Sequence, residues 1–470
     1  MTFKMSPIMR NPKQLSVFIL SLMVLLGQSC SSSIESASIN ENSISSLIDD
    51  SITAIDSNNT IPEIVNSNIE IKPLLNANFS PKLHSAYISR DGFDQGYPII
   101  TNNGEQLTLR FDWMDEEAEI FDIKFIHCQA DWTPSPLQEM EYLDGNSDLY
   151  LEEVDNSFNT IYRYYHYKYS FPNEDLKFLR TGNYVALILD EEENVLCSRR
   201  FMVYSNSSVI NGKIVKAMDP KYQYTDQSLE LTLDLNQIKV DNLLSNLKVI
   251  GLQNFRWDNT AWQFKPSMIQ DQKITFKANN GNHFPGLKEH RYVDIRNFRY
   301  LDGRVHQFQA NTTNNIVVLA DDPIRSFKAY LSEKDLNGRF TINNRDETLD
   351  DVTESDYAEV YFTLPYKNEM FEEEAIYILG NFNNYQPSEK FKMLFDKVEQ
   401  KYHAKLLLKQ GYYDYIYGLY NYETKETDYG FIEGNSPETE NEYVILVYLR
   451  DQFEGYDKLI GFKIIDRSSK

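Results

Sequence analysis

The 470-residue chain carries 46 Lys and Arg against 70 Asp and Glu, a net charge of −24. Nucleic-acid phosphates and anionic bilayers both demand a basic surface, so neither class of ligand suits this chain. The remaining classes are protein partners, neutral ligands and enzymatic substrates.

The N-terminus reads as an export signal over residues 1–29, with Lys4, Arg10 and Lys13 ahead of the apolar run Leu15 to Leu26. That run is too short to span a bilayer. Cys30 follows directly, and the next stretch, "SSSIESASINENSISSLIDDSITAIDSNNT", is Ser or Asn at 14 of 30 positions with no Lys or Arg. Such a composition buries too little apolar surface to fold, so residues 30–79 are expected to form a disordered tether. A signal ending at cysteine and continuing into a tether resembles a bacterial lipoprotein, which implies a lipid on Cys30, an outer-membrane anchor and a periplasmic address. The bland alternative is an ordinary cleavage site beside a bystander cysteine.

About 390 residues remain, enough for two to four domains. Alternation with a period of two dominates from residue 80 onward. "SLELTLDLNQ" puts Leu229, Leu231, Leu233 and Leu235 on one side, and "DYAEVYFTLPY" does the same with Ala358, Val360, Phe362 and Leu364. In "IYRYYHYKYSFPN", Tyr165, Tyr167, Tyr169 and Phe171 share one face and Tyr162, Tyr164, His166 and Lys168 the other. Half-buried strands have this pattern, and 32 tyrosines suit them, since the ring packs on the pleat while the hydroxyl reaches water. Residues 190–194 form an acidic turn between two apolar strands. The spacing predicts an all-β chain of three consecutive antiparallel, immunoglobulin-like β-sandwiches over 80–205, 206–320 and 321–470.

Catalytic signatures are absent from the sequence: there is no HExxH, paired CxxC, GxSxG, Walker A or GxGxxG. The histidines lack the spacing of metal ligands. These patterns point to no catalytic residue, metal, cofactor or small-molecule substrate. His127 and Cys128 adjoin on a strand and so point to opposite faces, poorly placed for a thiol–imidazole pair. Cys128 and Cys197 could meet in a disulfide only with well-aimed Cβ vectors. The runs "MDEEAE", "DEEEN" and "FEEEA" lack the spaced oxygens and glycine of a calcium loop. The cluster Gln253, Asn254, Arg256, Asp258 and Asn259 around Trp257, with Trp262 following, is open to two readings, a ligand clamp or a buried tryptophan at a domain junction.

Two resemblances add to this. "YILGNFNNYQPSEKFKML", residues 377–394, resembles the glycogen-binding sandwich modules beside starch enzymes, which implies Tyr385 as a carbohydrate platform. The third domain has no Trp, however, and such platforms usually use it. "HCQADWTPSPLQEMEYLDG", "SFNTIYRYYHYKYSFPN", "TGNYVALILD", "SRRFMVY", "QNFRWDN", "FPGLKEHRYVDIRNFRYLDG" and "EGNSPETENEYVILVYLR" together resemble the plug protein family of the Bacteroidetes type IX secretion system. That resemblance implies a non-enzymatic periplasmic protein whose partner is the large outer-membrane β-barrel translocon, whose inner mouth it closes. The alternative is a carbohydrate-binding lipoprotein using the third domain.

Overall fold

The computed structural model describes residues 74–467, apart from 146–148, 152, 236–237, 239–241, 262, 279–281 and 347–351. The signal peptide, Cys30 and Trp262 lie outside the described residues. Among the described residues nearly all regular structure is strand, and the α-helices Glu139–Tyr142, Leu243–Asn246 and Gly430–Glu433 are single turns. No described helix is long and apolar enough to cross a membrane.

The first sandwich packs two sheets. One holds Ala77–Asn78, Val195–Tyr204, Gly182–Leu189, Asp122–Cys128 and Leu149–Tyr150, with Ile99–Thr101 parallel to Val195–Tyr204. The other holds Leu83–Arg90, Leu107–Trp113, Tyr165–Phe171 and Val154–Asn156. Between them lies an aromatic core in which Phe111 stacks on Tyr167 and Phe125, Phe178, Tyr184 and Phe201 interlock. The acidic turn forms because Asp190 Oδ1 accepts the amides of Glu192 and Asn194. Residues 74–79, expected in the tether, instead belong to this sandwich. Ala77 pairs with Ser198, and Arg199 and Arg200 donate to the backbone carbonyls of Ala77 and Leu74.

The second sandwich is assembled from distant parts of the chain. Val209–Lys216, Asp226–Asp234, Lys273–Phe276, Met268–Gln270 and His283–Pro285 form one sheet. Thr260–Ala261 and Leu247–Gln253 form the other together with Tyr443–Arg450 and Asp457–Ile465. Leu247 pairs with Leu449 and Gln253 with Tyr443, and Leu229, Leu231 and Leu233 meet Val249, Ile445 and Val447 in the core.

The third sandwich is therefore an insertion. Arg291–Asp294, Gly411–Asn421, Phe340–Ile342, Glu374–Leu379 and Glu426–Asp428 face Val305–Ala310, Asn315–Leu319, Tyr357–Leu364, Lys401–Lys409 and Leu394–Asp396. This corrects the expected boundaries. Residues 291–319 build the third sandwich rather than the second, and 443–465 the second rather than the third. Alternation marks a strand but not its partner, and the decisive pairing here joins residues about 200 positions apart.

The described residues lie in one compact unit. Gly182–Leu189 is buried at every position. Its inner face, Tyr184, Ala186 and Ile188, fills the first core, while Val185, Leu187 and Leu189 pack against Ile250, Leu252, Val444, Leu446 and Tyr448 of the second sandwich.

Candidate functional site

Where the three sandwiches meet, they border a half-open cavity of about 540 Å³ lined by residues of all three, including Arg200, Phe255, Trp257, Arg339 and Tyr385. Three of the segments singled out in the sequence converge here: "SRRFMVY", "QNFRWDN" and "GNFNNYQ". Two of them turn in the same unusual way. Asn254 and Phe255 have φ of 51° and 58°, and Asn384 and Tyr385 have φ of 54° and 55°. Asparagine tolerates the left-handed region, but a bulky aromatic there is strained and persists only where its surroundings hold it.

Phe255 is held by Tyr97 of the first sandwich, whose ring stacks at 4.4 Å. Tyr385 is held by its hydroxyl, 2.9 Å from Nε2 of His290, and by the Arg256 guanidinium 4.7 Å from its ring centre. Gly338 permits this approach, since a Cβ there would stand 1.8 Å from the Tyr385 hydroxyl. Tyr385 is only 3% exposed. A sugar platform needs an open aromatic face, and Tyr385, implied as one by the resemblance to glycogen-binding modules, presents its ring to its neighbours instead.

The polar cluster of residues 253–259 is largely taken up by internal bonds, although Arg256 Nη1 is buried without a hydrogen-bond partner. Arg256, 1% exposed, donates from Nε and Nη2 to Asp258 at 3.2 and 2.6 Å, while its plane lies against Tyr429 at 4.1 Å. Tyr429 also donates to Asp258 at 2.6 Å. Burial opposes the Arg256 charge, but Asp258 and the two tyrosines hold its proton more firmly than usual. Asn259 donates to Gln253, and Asn254 joins Asn441 and the amide of Glu442. The buried group is thus Arg256, while Trp257 is half-buried with its ring edge-to-face on Trp132 at 4.9 Å. The junction reading of the sequence fits this arrangement better than the clamp.

One triad spans all three sandwiches: Tyr97 donates to Glu442 at 3.0 Å, and Arg339 donates to the same carboxylate at 2.9 and 3.2 Å. A second ionic lock joins the first and third sandwiches. Lys409 and the Tyr357 hydroxyl each lie 2.6 Å from Asp112 Oδ2, and His166 Nδ1 lies 2.7 Å from Oδ1. Asp112 and Lys409 are 1% and 2% exposed. Burial alone would raise the Asp112 pKa, but Lys409 and His166 outweigh it and hold the carboxyl below its ordinary range. Lys409 also caps the Tyr164 ring at 4.0 Å, and Tyr164 donates to the carbonyl of Ser355 at 2.8 Å.

His127 and Cys128 indeed face apart. His127 Nδ1 lies 2.8 Å from the Ser135 hydroxyl, and burial pushes the Cys128 thiol up to about 12, which leaves it a poor nucleophile. Cys128 and Cys197 are both free and buried, in different apolar clusters.

The sequence did not single out Asp112, Lys409, Arg339 or Glu442. Charged residues on the polar face of a strand look solvated until another sandwich covers them. The signal available was the run of aromatics on both faces of the chain leading into Tyr165–Phe171, where Tyr164 and His166 are buried although Lys168 and Ser170 further along are exposed.

The chain shares its architecture with a hypothetical protein from Parabacteroides merdae of known crystal structure, with a TM-score of 0.80 and 27% identity. The match covers 84% of this chain and all of that one. Two weaker structural matches carry no argument: a biofilm associated protein BSP domain (8% identity, 82% and 59% coverage, TM-score 0.16) and dimeric latent PorU from Porphyromonas gingivalis (9%, 82% and 34%, 0.12). No curated protein matches the chain. Residues 83–205 match the family model for the type 9 secretion system plug protein 1st domain, so this part of the chain is similar to the first domain of that plug family.

Proposed function

We propose that the chain is a non-enzymatic periplasmic plug that closes the periplasmic mouth of the large β-barrel translocon of the type IX secretion system, held to the outer membrane by a lipid on Cys30. The observation that carries this reading is the plug-family first domain at residues 83–205. A barrel wide enough for folded cargo encloses an aqueous channel, and another body must close it. Such a stopper has to resist deformation, and the buried braces between all three sandwiches favour that role. A net charge of −24 keeps the body soluble when it is away from the barrel. The tether would keep it at high effective concentration beside the membrane for rebinding.

The test is a pull-down of the tagged protein from solubilised outer membrane, in which a very large barrel protein should co-purify. Deletion of the gene should also admit a large antibiotic and impair secretion of cargo. Unchanged secretion and unchanged outer-membrane tightness would sink the proposal. For the anchor, Cys30→Ala should abolish fatty-acid labelling and release the protein from the membrane fraction.

A further inference from the structure

The turn between Leu394–Asp396 and Lys401–Lys409 gathers Asp396, Glu399 and His403. Asp396 Oδ1 accepts the amides of Val398 and Glu399 at 2.6 and 3.0 Å, and this folds the turn back so that Glu399 overhangs His403. His403 is 6% exposed. Its Nδ1 lies 3.1 Å from the Thr363 hydroxyl, while its Nε2 is buried with no hydrogen-bond partner and points at Glu399 Oε2, 3.4 Å away. One ligand atom from each of the three residues lies within 4.8 Å of the other two.

An orphaned, buried ring nitrogen calls for a partner. A proton would give an imidazolium bonded to Glu399, but 3.4 Å exceeds the roughly 2.7–2.9 Å of a charge-assisted hydrogen bond. Two ligand atoms bound at about 2.0–2.1 Å to a tetrahedral metal stand about 3.4 Å apart, the spacing found here. The Thr363 hydroxyl can accept a hydrogen bond from Nδ1, which would leave Nε2 to an ion, with the hydroxyl as the outer partner a metal-binding histidine usually has. Nearby, Lys401 is drawn to Asp321 at 2.8 Å. Glu399 is 37% exposed, which gives an ion a way in.

We infer that Asp396, Glu399 and His403 form a binding site for a divalent transition-metal ion of the zinc class. Two carboxylates offset the charge of the ion, and three protein ligands leave a position open to water or to a side chain of a docked protein. The other cluster of this kind among the described residues, His290 with Asp335 and Asp414, differs in the decisive point. Both its ring nitrogens are taken, by Asp335 at 3.0 Å and Tyr385 at 2.9 Å.

The test is titration of the mature chain, stripped with EDTA, with zinc chloride in a calorimeter. Cobalt(II) added in parallel should give the visible absorption of a four-coordinate ion. One ion should bind per chain, and Glu399→Gln and His403→Ala should each weaken binding at least about ten-fold. His306→Ala, at an exposed histidine elsewhere, should bind as the parent does. Circular dichroism checks that the variants are folded, and Glu399→Gln, at a part-exposed turn, preserves the test should His403→Ala unfold. Absence of binding, or binding unchanged in both Glu399→Gln and His403→Ala, would overturn the inference.

Discussion

The first sandwich is joined to its two neighbours by different chemistries. Against the second it presents an apolar sheet face, Val185, Leu187, Leu189 and Met202, which meets Ile250, Leu252, Val444 and Leu446. Against the third it presents a buried carboxylate, Asp112, held by Lys409, His166 and Tyr357. Apolar burial contributes roughly 1.5–3 kcal/mol per large side chain but has no directional preference. A buried ion pair contributes little net stability, because desolvation offsets attraction, yet it is unforgiving of misplacement. The first contact supplies cohesion, and the second fixes how the third sandwich is set.

The sharpest way to break that contrast is to remove one half of the ion pair. Lys409→Ala strands a buried carboxylate and should cost about 3–5 kcal/mol in urea unfolding, whereas Asp112→Asn with Lys409→Met should recover most of the loss. If the double variant were as unstable as the single one, the pair would be a source of cohesion after all. Leu446→Ala, on the apolar side, should cost about 3 kcal/mol, with no equivalent rescue by a second substitution.

Acid separates the two contacts without mutation. The Asp112 carboxyl is held below its ordinary 3.8, so its contribution is complete above that value and is lost as pH falls through the lower value of the folded protein. Stability should decline below about pH 4, and the Asp112→Asn/Lys409→Met double variant should decline less steeply. Other buried carboxylates share this behaviour, chiefly Glu433, which Arg291 and Arg325 hold at about 2 against the cost of burial. The difference between the two acid profiles is therefore the quantity to measure. The smallest effect belongs to Tyr385→Phe, which removes one hydrogen bond to His290 and should cost about 1 kcal/mol. The parent protein should also run unretarded through glycogen-containing native gels, in keeping with the burial of Tyr385.

Much of the fold was legible because β-structure writes its burial locally. Leu229, Leu231 and Leu233 alternate and do share one core face, and Ala358, Val360, Phe362 and Leu364 do the same. Partner choice was not legible. "EYVILVYLR" announces a strand, but nothing in it names Leu247–Gln253 as its neighbour. The site was half legible. The segments at 253–259 and 380–386 stood out by composition, yet their meeting at one cavity depends on an insertion that only the sheet pairing reveals. Asp396, Glu399 and His403 escaped because D-x2-E-x3-H fits no familiar ligand spacing, and a tight turn brings its members together.

The insertion also sets the order in which the molecule can be completed. The middle sandwich has one whole sheet but only half of the other until Tyr443–Arg450 and Asp457–Ile465 emerge. These two strands are thus the keystone of the centre, and closing them on Leu247–Gln253 spans a long loop that folding of the inserted body shortens. A stop codon near residue 440 would leave the inserted body's strands intact and open the middle. Loss of Tyr443–Arg450 and Asp457–Ile465 should therefore be read as damage to the hub of the assembly.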